Sequence, residues 1–191
     1  MPAPSGQAAY RHRLATLEDL PTIVAIYNST VASRCVTADV EPVTLASRLD
    51  WFHQHQPQRR PLWVIEMEND EAHRAQNKPH ADSFRPAILG WLSYSDFNGR
   101  AAYAGTVELS VYIDQAWRGR GVGSYCMRQA IESAPALAVH TLLALIFGHN
   151  AASLALFERF GFGHWGRLPQ VASLDGIGRD LLILGKRVGP A

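Results

Sequence analysis

The chain is short of most features that would mark a special environment. Its 191 residues include only two cysteines, Cys35 and Cys126, which are far apart and lack metal-type spacing, so neither a disulfide framework nor a thiolate metal site is implied. They read as free thiols of a reducing compartment. Neither charge sign dominates: 18 Lys and Arg against 17 Asp and Glu leave a formal net charge of +1, giving no global attraction to nucleic acid or to an anionic membrane. No apolar run approaches the roughly 20 residues of a membrane span. Residues 1–9 lack the basic start and apolar stretch of a secretory signal, and a cytoplasmic protein is expected. The eight histidines are scattered, with no HExxH, so no metal site is expected. The five tryptophans lack the interleaved basic residues of a single-strand nucleic-acid platform.

A chain of this length suits one domain, burying roughly 70% of the surface that the unfolded chain exposes. The pattern predicts a single α/β domain over 11–191 after a flexible start at 1–10. Residues 11–13 form a short strand. Thr16 caps a helix with Leu20, Ile23, Val24, Tyr27 and Val31 on one stripe. Thr44 caps a second helix, in which Leu45, Leu49 and Phe52 share a face. A strand at 62–67 and its hairpin partner at 87–94 flank a polar insertion at about 68–86, long for a hairpin connection. A strand at 106–113, a helix from about 121 to 134, a strand at 141–147, a helix opened by Asn150 and two strands at about 162–170 and 179–187 complete the order.

The densest signal is the alternating strand at 106–113 followed by Arg118-Gly119-Arg120-Gly121-Val122-Gly123-Ser124 at the start of a helix. Three glycines at alternate positions let the backbone come close to a ligand, and the helix start adds the positive end of its dipole. Such a turn cradles an anion, and a diphosphate fits. It is not a P-loop, because no Gly-Lys-Ser or Gly-Lys-Thr occurs. A dinucleotide GxGxxG fails as well, since Ser124 stands at its last glycine.

What remains is Arg-x-x-Gly-x-Gly at Arg118, Gly121 and Gly123, which resembles the pyrophosphate loop of the GCN5-related N-acetyltransferases. The order that follows, through Asn150-Ala151-Ala152-Ser153 to Phe160-Gly161-Phe162, resembles that family's C-terminal half. Residues 14–21, Ile26-Tyr27-Asn28, Glu41-Pro42-Val43-Thr44, and Arg100, Tyr103 and Thr106-Val107-Glu108 resemble the phosphinothricin and methionine-sulfone acetyltransferase branch. The resemblance implies a mixed sheet of about seven strands flanked by about four helices and splayed at an acetyl-CoA site. It also implies a small amino-acid-like amine as acceptor, and a homodimer.

Acetyl transfer from a thioester to an amine needs a neutral amine and stabilisation of the oxygen that gains charge. The period of two along 106–113 places Glu108, Ser110 and Tyr112 on one face, so Glu108 is the candidate base; a Glu on a solvated sheet face is the plain alternative. Backbone N–H groups at Val111, Tyr112 and Ile113 are the candidate oxyanion donors. Asn150 reads first as a helix N-cap, and the resemblance adds a contact to the cofactor arm. Acetyl-CoA is thus expected on Val111, Tyr112, Ile113, Arg118, Gly119, Arg120, Gly121, Val122, Gly123, Ser124 and Asn150. Arg100 and Tyr103 are candidates to grip a carboxylate or phosphinate, and Glu41 to hold the ammonium.

Three departures stand out against the family pattern. Phe157 sits where many such enzymes carry a Tyr, and this branch often a His, as proton donor to the thiolate. Ala104-Gly105 replaces a bulkier basic pair, and Ala38 replaces an aromatic, which points to a wider pocket. Acetylation of a protein N-terminus or an aminoglycoside, or a non-catalytic acyl-CoA-binding module, remain the alternatives.

Overall fold

The computed structural model describes residues 10–68 and 86–189. Residues 1–9 of the expected flexible start and nearly all of the polar insertion lie outside the described residues; Tyr10, expected in that start, instead opens the first strand by pairing with Met67. Seven strands form one sheet in the order β1-β2-β3-β4-β5-β7-β6, with β1 (Tyr10–Leu14), β2 (Leu62–Met67), β3 (Gly90–Asp96), β4 (Thr106–Ile113), β5 (Thr141–Phe147), β6 (Gly163–Leu174) and β7 (Ile177–Arg187). Every pairing is antiparallel except β4 with β5.

Among the described residues four α-helices cover the sheet: α1 (Leu20–Val31), α2 (Leu45–Gln54), α3 (Val122–Ser133) and α4 (Ala151–Arg159). Their placement explains why β2 is apolar throughout. Leu62 and Val64 pack with Ile23 and Ile26 of α1, while Trp63 and Ile65 face the larger core that holds Val122, Cys126 and Met127 of α3. A strand covered on both faces has no need to alternate. Side-chain hydrogen bonds fix both layers to the sheet: Trp91 Nε1 donates to Ile23 O at 3.1 Å, and Tyr94 Oη donates to Ala130 O at 3.0 Å.

Local chemistry sets the helix starts. Thr16 forms a capping box with Asp19 over a short 3-10 turn, and α1 begins after it with Pro21 in its first turn. Asp19 is 2% exposed; burial opposes its ionisation, but the Arg13 guanidinium and the Thr16 N–H and hydroxyl outweigh this and hold its carboxyl below the usual range. Thr44 Oγ1 caps α2 by accepting from Ser47 N at 3.1 Å.

Two expectations shift. The partner of β2 begins at Gly90 rather than at 87, because the ladder proper starts there. In α2 the expected stripe is only partly inward: Leu45 and Leu49 are 46% and 39% exposed, and Trp51 and Phe52 make the packed side. Arg48 lies on that side, its guanidinium 4.7 Å from the Tyr27 ring centre, so a cation with an apolar stem occupies a core-facing position.

Candidate active site

The site is made by a seam that opens. Strands β4 and β5 pair only at Thr106 with Thr141, Val107 with Leu142 and Glu108 with Leu143. Beyond Glu108 each strand stays with its other neighbour, β4 with β3 as far as Ile113 and β5 with β7 as far as Phe147, so the two diverge. The β5-facing edge of β4 from Leu109 onward is therefore left without a ladder partner, and its N–H groups are available to a ligand. The divergence runs past Val111, Tyr112 and Ile113; of these, Val111 and Ile113 turn their N–H groups to the free edge, while that of Tyr112 points to β3.

Two clefts follow the opening. The first, of ≈ 300 Å³, is lined by Glu108, Ser110 and Tyr112, by residues 144–147 of β5, by Asn150, Ser153 and Phe157, and by residues 36–38 of the α1–α2 connection. The second, of ≈ 450 Å³, runs from Val111, Tyr112 and Ile113 to Trp117, Arg118, Gly119, Gly121, Gly123, Ser124 and Arg159. Both are walled by Val36, Val111, Tyr112, Asn150 and Ser153, so a path leads from the glycine loop to Glu108.

At the loop, Gly121 has φ +93° and nothing within 4 Å of where a Cβ would lie. Only glycine takes that conformation cheaply, and the missing side chain leaves room for a bulky anion against the backbone. Gly121 is the N-cap of α3, and the first N–H to close back on it is that of Tyr125. The N–H groups of Val122, Gly123 and Ser124 thus remain free to donate at the positive end of the helix. These features fit the diphosphate of acetyl-CoA. Arg118 Nε donates to Ile113 O at 3.2 Å, tying the loop to the end of β4. Arg120 and Val122 do not line the cleft: the Arg120 guanidinium lies 5.0 Å from the Trp117 ring centre, and the Val122 side chain is sunk in the core. Arg159, absent from the sequence-based candidates, donates to Ser124 Oγ at 2.8 Å and adds a cation beside the cradle.

Glu108 stands where the seam opens. No hydrogen bond or ion pair of its carboxylate is found among the described residues, and burial raises its pKa above the ordinary value. Burial without a facing charge disfavours the ionised form, so this carboxyl holds its proton to a higher pH than an exposed one. Asn150 caps α4, its Oδ1 accepting from Ser153 N at 3.1 Å, and also lines both clefts. Phe157 is 4% exposed, with its ring edge-on to Phe162 at 5.0 Å, and it brings no proton donor to the cleft wall.

The remaining candidates lie elsewhere. Glu41 is exposed and lines neither cleft. Arg100 precedes a short 3-10 turn, its N–H bonded to Asn98 Oδ1 at 3.0 Å. Tyr103 is 41% exposed and shares a surface hollow with Phe97, His140 and Trp165.

Comparison with known proteins agrees with this geometry. The sequence model of the Acetyltransferase (GNAT) family matches residues 41–162. The chain belongs to this family. It is similar to YwnH of Bacillus subtilis (strain 168), 48% identical over 92% of this chain and 98% of that protein. It is also similar to the L-methionine sulfoximine/L-methionine sulfone acetyltransferase of Pseudomonas aeruginosa, 34% identical over 93% of this chain and 94% of that one. Among solved structures, the GNAT superfamily phosphinothricin acetyltransferase from Sinorhizobium meliloti in complex with acetyl-CoA superposes with a TM-score of 0.80 at 25% identity, over 95% of this chain and 89% of that one.

Proposed function

We propose that the protein is an acetyl-CoA-dependent N-acetyltransferase that moves acetyl directly to the primary amine of a small amino-acid-like substrate of the phosphinothricin or methionine-sulfone type. The observation that carries this reading is the Glu108 carboxylate, without a partner among the described residues, in a cleft joined to the glycine cradle. Glu108 takes the proton that keeps the amine from attacking. Backbone N–H groups on the free edge of β4 at Val111 and Ile113 face the oxygen that gains charge, whereas that of Tyr112 belongs to the ladder with β3. The α3 N-terminus and Arg118 hold the diphosphate, and Asn150 borders the arm that leads from it.

Direct transfer is supported by the thiols. Neither lines the clefts: Cys126 is sealed in the core with its thiol pushed up to about 12 by burial, and the Cys35 thiol is turned to His149 O at 3.8 Å. The names of the relatives support the acceptor class, and Ala38 in the cleft wall leaves room for a broad one. We further propose a cytoplasmic homodimer. The exposed Trp165, Leu168, Val171 and Ile177, all on the β6–β7 hairpin, support pairing with a second copy, which light scattering tests.

The deciding experiment is thiol release from acetyl-CoA against phosphinothricin, methionine sulfone, methionine sulfoximine, N-terminal peptides and aminoglycosides. Turnover confined to the amino-acid analogues is expected. Turnover only on peptides or aminoglycosides would replace the acceptor class. Tight acetyl-CoA binding with no turnover on any amine would favour the acyl-CoA-binding reading, which Phe157 in the place of a proton donor makes physically reasonable.

A further inference from the structure

Another cavity, of ≈ 170 Å³, lies beside the acyl-transfer cleft, between α1, α2 and the face of β3 and β4 that carries Glu108. Its walls are largely aromatic. Trp91 stacks on Tyr112, its partner in the β3–β4 register, with ring centres 4.4 Å apart, and Trp51 meets Trp91 edge-on at 5.6 Å. Tyr27 borders the α1 side, 5.1 Å from Tyr112. Ser93 and Ser110, also opposite one another in register, add two hydroxyl side chains to the wall. Ser110 and Tyr112 line the acyl-transfer cleft as well, so the two spaces share a wall.

Arg48 is the charged residue of this lining. Its guanidinium stands 4.7 Å from the Tyr27 ring centre and 5.8 Å from that of Trp51. The hydrogen bond found for it among the described residues runs from Nη2 to Asp39 Oδ2 at 2.9 Å, and Asp39 accepts from Tyr27 Oη as well. The positive charge is thus answered by a carboxylate, while a guanidinium is a fork of several N–H donors of which Asp39 engages one arm. A space with no net charge but with spare N–H and O–H donors suits a neutral group that carries strong acceptor oxygens. An anion there would meet no unanswered cation and would lie near the Asp39 carboxylate, so the cost of taking it out of water is not offset.

We propose that this cavity takes the side-chain end of the acceptor, and that Arg48, its charge masked by Asp39, selects a neutral dipolar head such as a sulfone or sulfoximine over an anionic phosphinate. The proposal rests on the acetyltransferase reading above and narrows its acceptor class. With the amine at Glu108, the side chain runs along the shared wall at Ser110, two positions further on the same strand face and roughly 7 Å away. A head four bonds from the amine, each of roughly 1.5 Å, reaches about 5 Å along that line, and a hydrogen bond of about 3 Å spans the remainder. Its oxygens accept from Arg48 and the serine hydroxyls, and its methyl group packs on the rings. The volume is well under the roughly 300–1,000 Å³ of pockets that enclose drug-sized ligands, which suits the end of one small side chain.

The test measures kcat/KM of the full chain with acetyl-CoA for methionine sulfone, methionine sulfoximine, methionine and phosphinothricin, in the parent, Arg48→Met and Asp39→Asn. The parent is expected to favour the sulfone by about tenfold or more over methionine, which lacks the oxygens, and over phosphinothricin, which adds the charge. Arg48→Met keeps an unbranched apolar stem and should lose most of the preference for the sulfone over methionine, through KM rather than kcat. Asp39→Asn leaves the Arg48 charge bare and should shift the ratio about tenfold toward phosphinothricin. Melting curves check both folds, and the nearly isosteric Asp39→Asn carries the test alone where Arg48→Met does not fold. A purely structural role would lower the rates on all four acceptors together, so unchanged ratios in a folded variant would overturn the proposal, as would a parent that prefers phosphinothricin; either result leaves the acetyltransferase reading standing. A parent that acetylates none of the four would overturn the acceptor class and this cavity's role together.

Discussion

The His140 imidazole occupies the space that a side chain at position 105 would need: a Cβ built on Gly105 would lie 2.2 Å from His140 Nε2. The Gly105 carbonyl also accepts from the N–H groups of His140 and Thr141, at 2.9 and 3.1 Å. The departure at Ala104-Gly105 is thus a packing exchange, in which the histidine fills the room the glycine leaves. Ala104 is held from the other side, its carbonyl accepting from the buried Arg60 at 2.6 Å.

Gly105→Ala is accordingly expected to destabilise the fold by about 1–3 kcal/mol, the usual cost of overpacking. In the His140→Ala background the same substitution should cost far less. Thermal melts of the two single variants and the double variant give the coupling; additive losses would mean that the two residues do not share the space.

Gly121→Val should fold and fail to hold CoA. The substitution forces a branched residue to φ +93°, costing about 1–3 kcal/mol, and fills the open side of the cradle. The dissociation constant for CoA by calorimetry should rise by more than about tenfold, or 1.4 kcal/mol. Parental affinity would remove the loop from the cofactor site.

Glu108→Gln should lower kcat by about a hundredfold near neutral pH, with the defect shrinking in alkali, where the amine arrives already neutral. Because burial raises the Glu108 pKa, the acid limb of the parent's rate profile should lie above the ordinary carboxylate range. Stability runs the other way. Between the ordinary and the raised value the native state binds the extra proton, so stability falls as pH rises through that window. Glu108→Gln, which cannot ionise, should melt no lower than the parent at neutral pH.

Phe157→Tyr adds a hydroxyl to the cleft wall beside Asn150 and Ser153. If reprotonation of the thiolate limits turnover, kcat rises; if product release limits it, kcat stays level. An unpartnered hydroxyl at this buried position costs about 1–3 kcal/mol, so melting is measured alongside. A stable variant with unchanged kcat would exclude a missing acid as the limit on rate.

Much of this was legible in the residues, for particular reasons. Glycine spacing and strand alternation are local properties, so the cradle and the shared face of Glu108 and Tyr112 could be read directly. The face of α2 could not. Leu45, Leu49 and Phe52 form one helical stripe, while Arg48, Trp51 and His55 form another, and periodicity has no means to rank a stripe that contains a stacked arginine. Arg159 carried no signal either, because its bond to Ser124 depends on how α4 docks beside α3. The extent of pairing between β4 and β5 is likewise a tertiary fact: the residues of both strands read as ordinary to their ends, and only the family resemblance implied that they part.

That short seam divides the sheet into two sewn blocks, β1 to β4 and β5 to β7, joined by three residue pairs. Amide hydrogen exchange makes this visible. Strand amides inside either block are protected up to the cost of opening the whole block, whereas those on the free edge of β4 past Glu108 should exchange quickly in the unliganded protein. A ligand lying along the divergence bridges both blocks, so its arrival should slow exchange at that edge first, giving the protein a spectroscopic reporter of occupancy that needs no turnover.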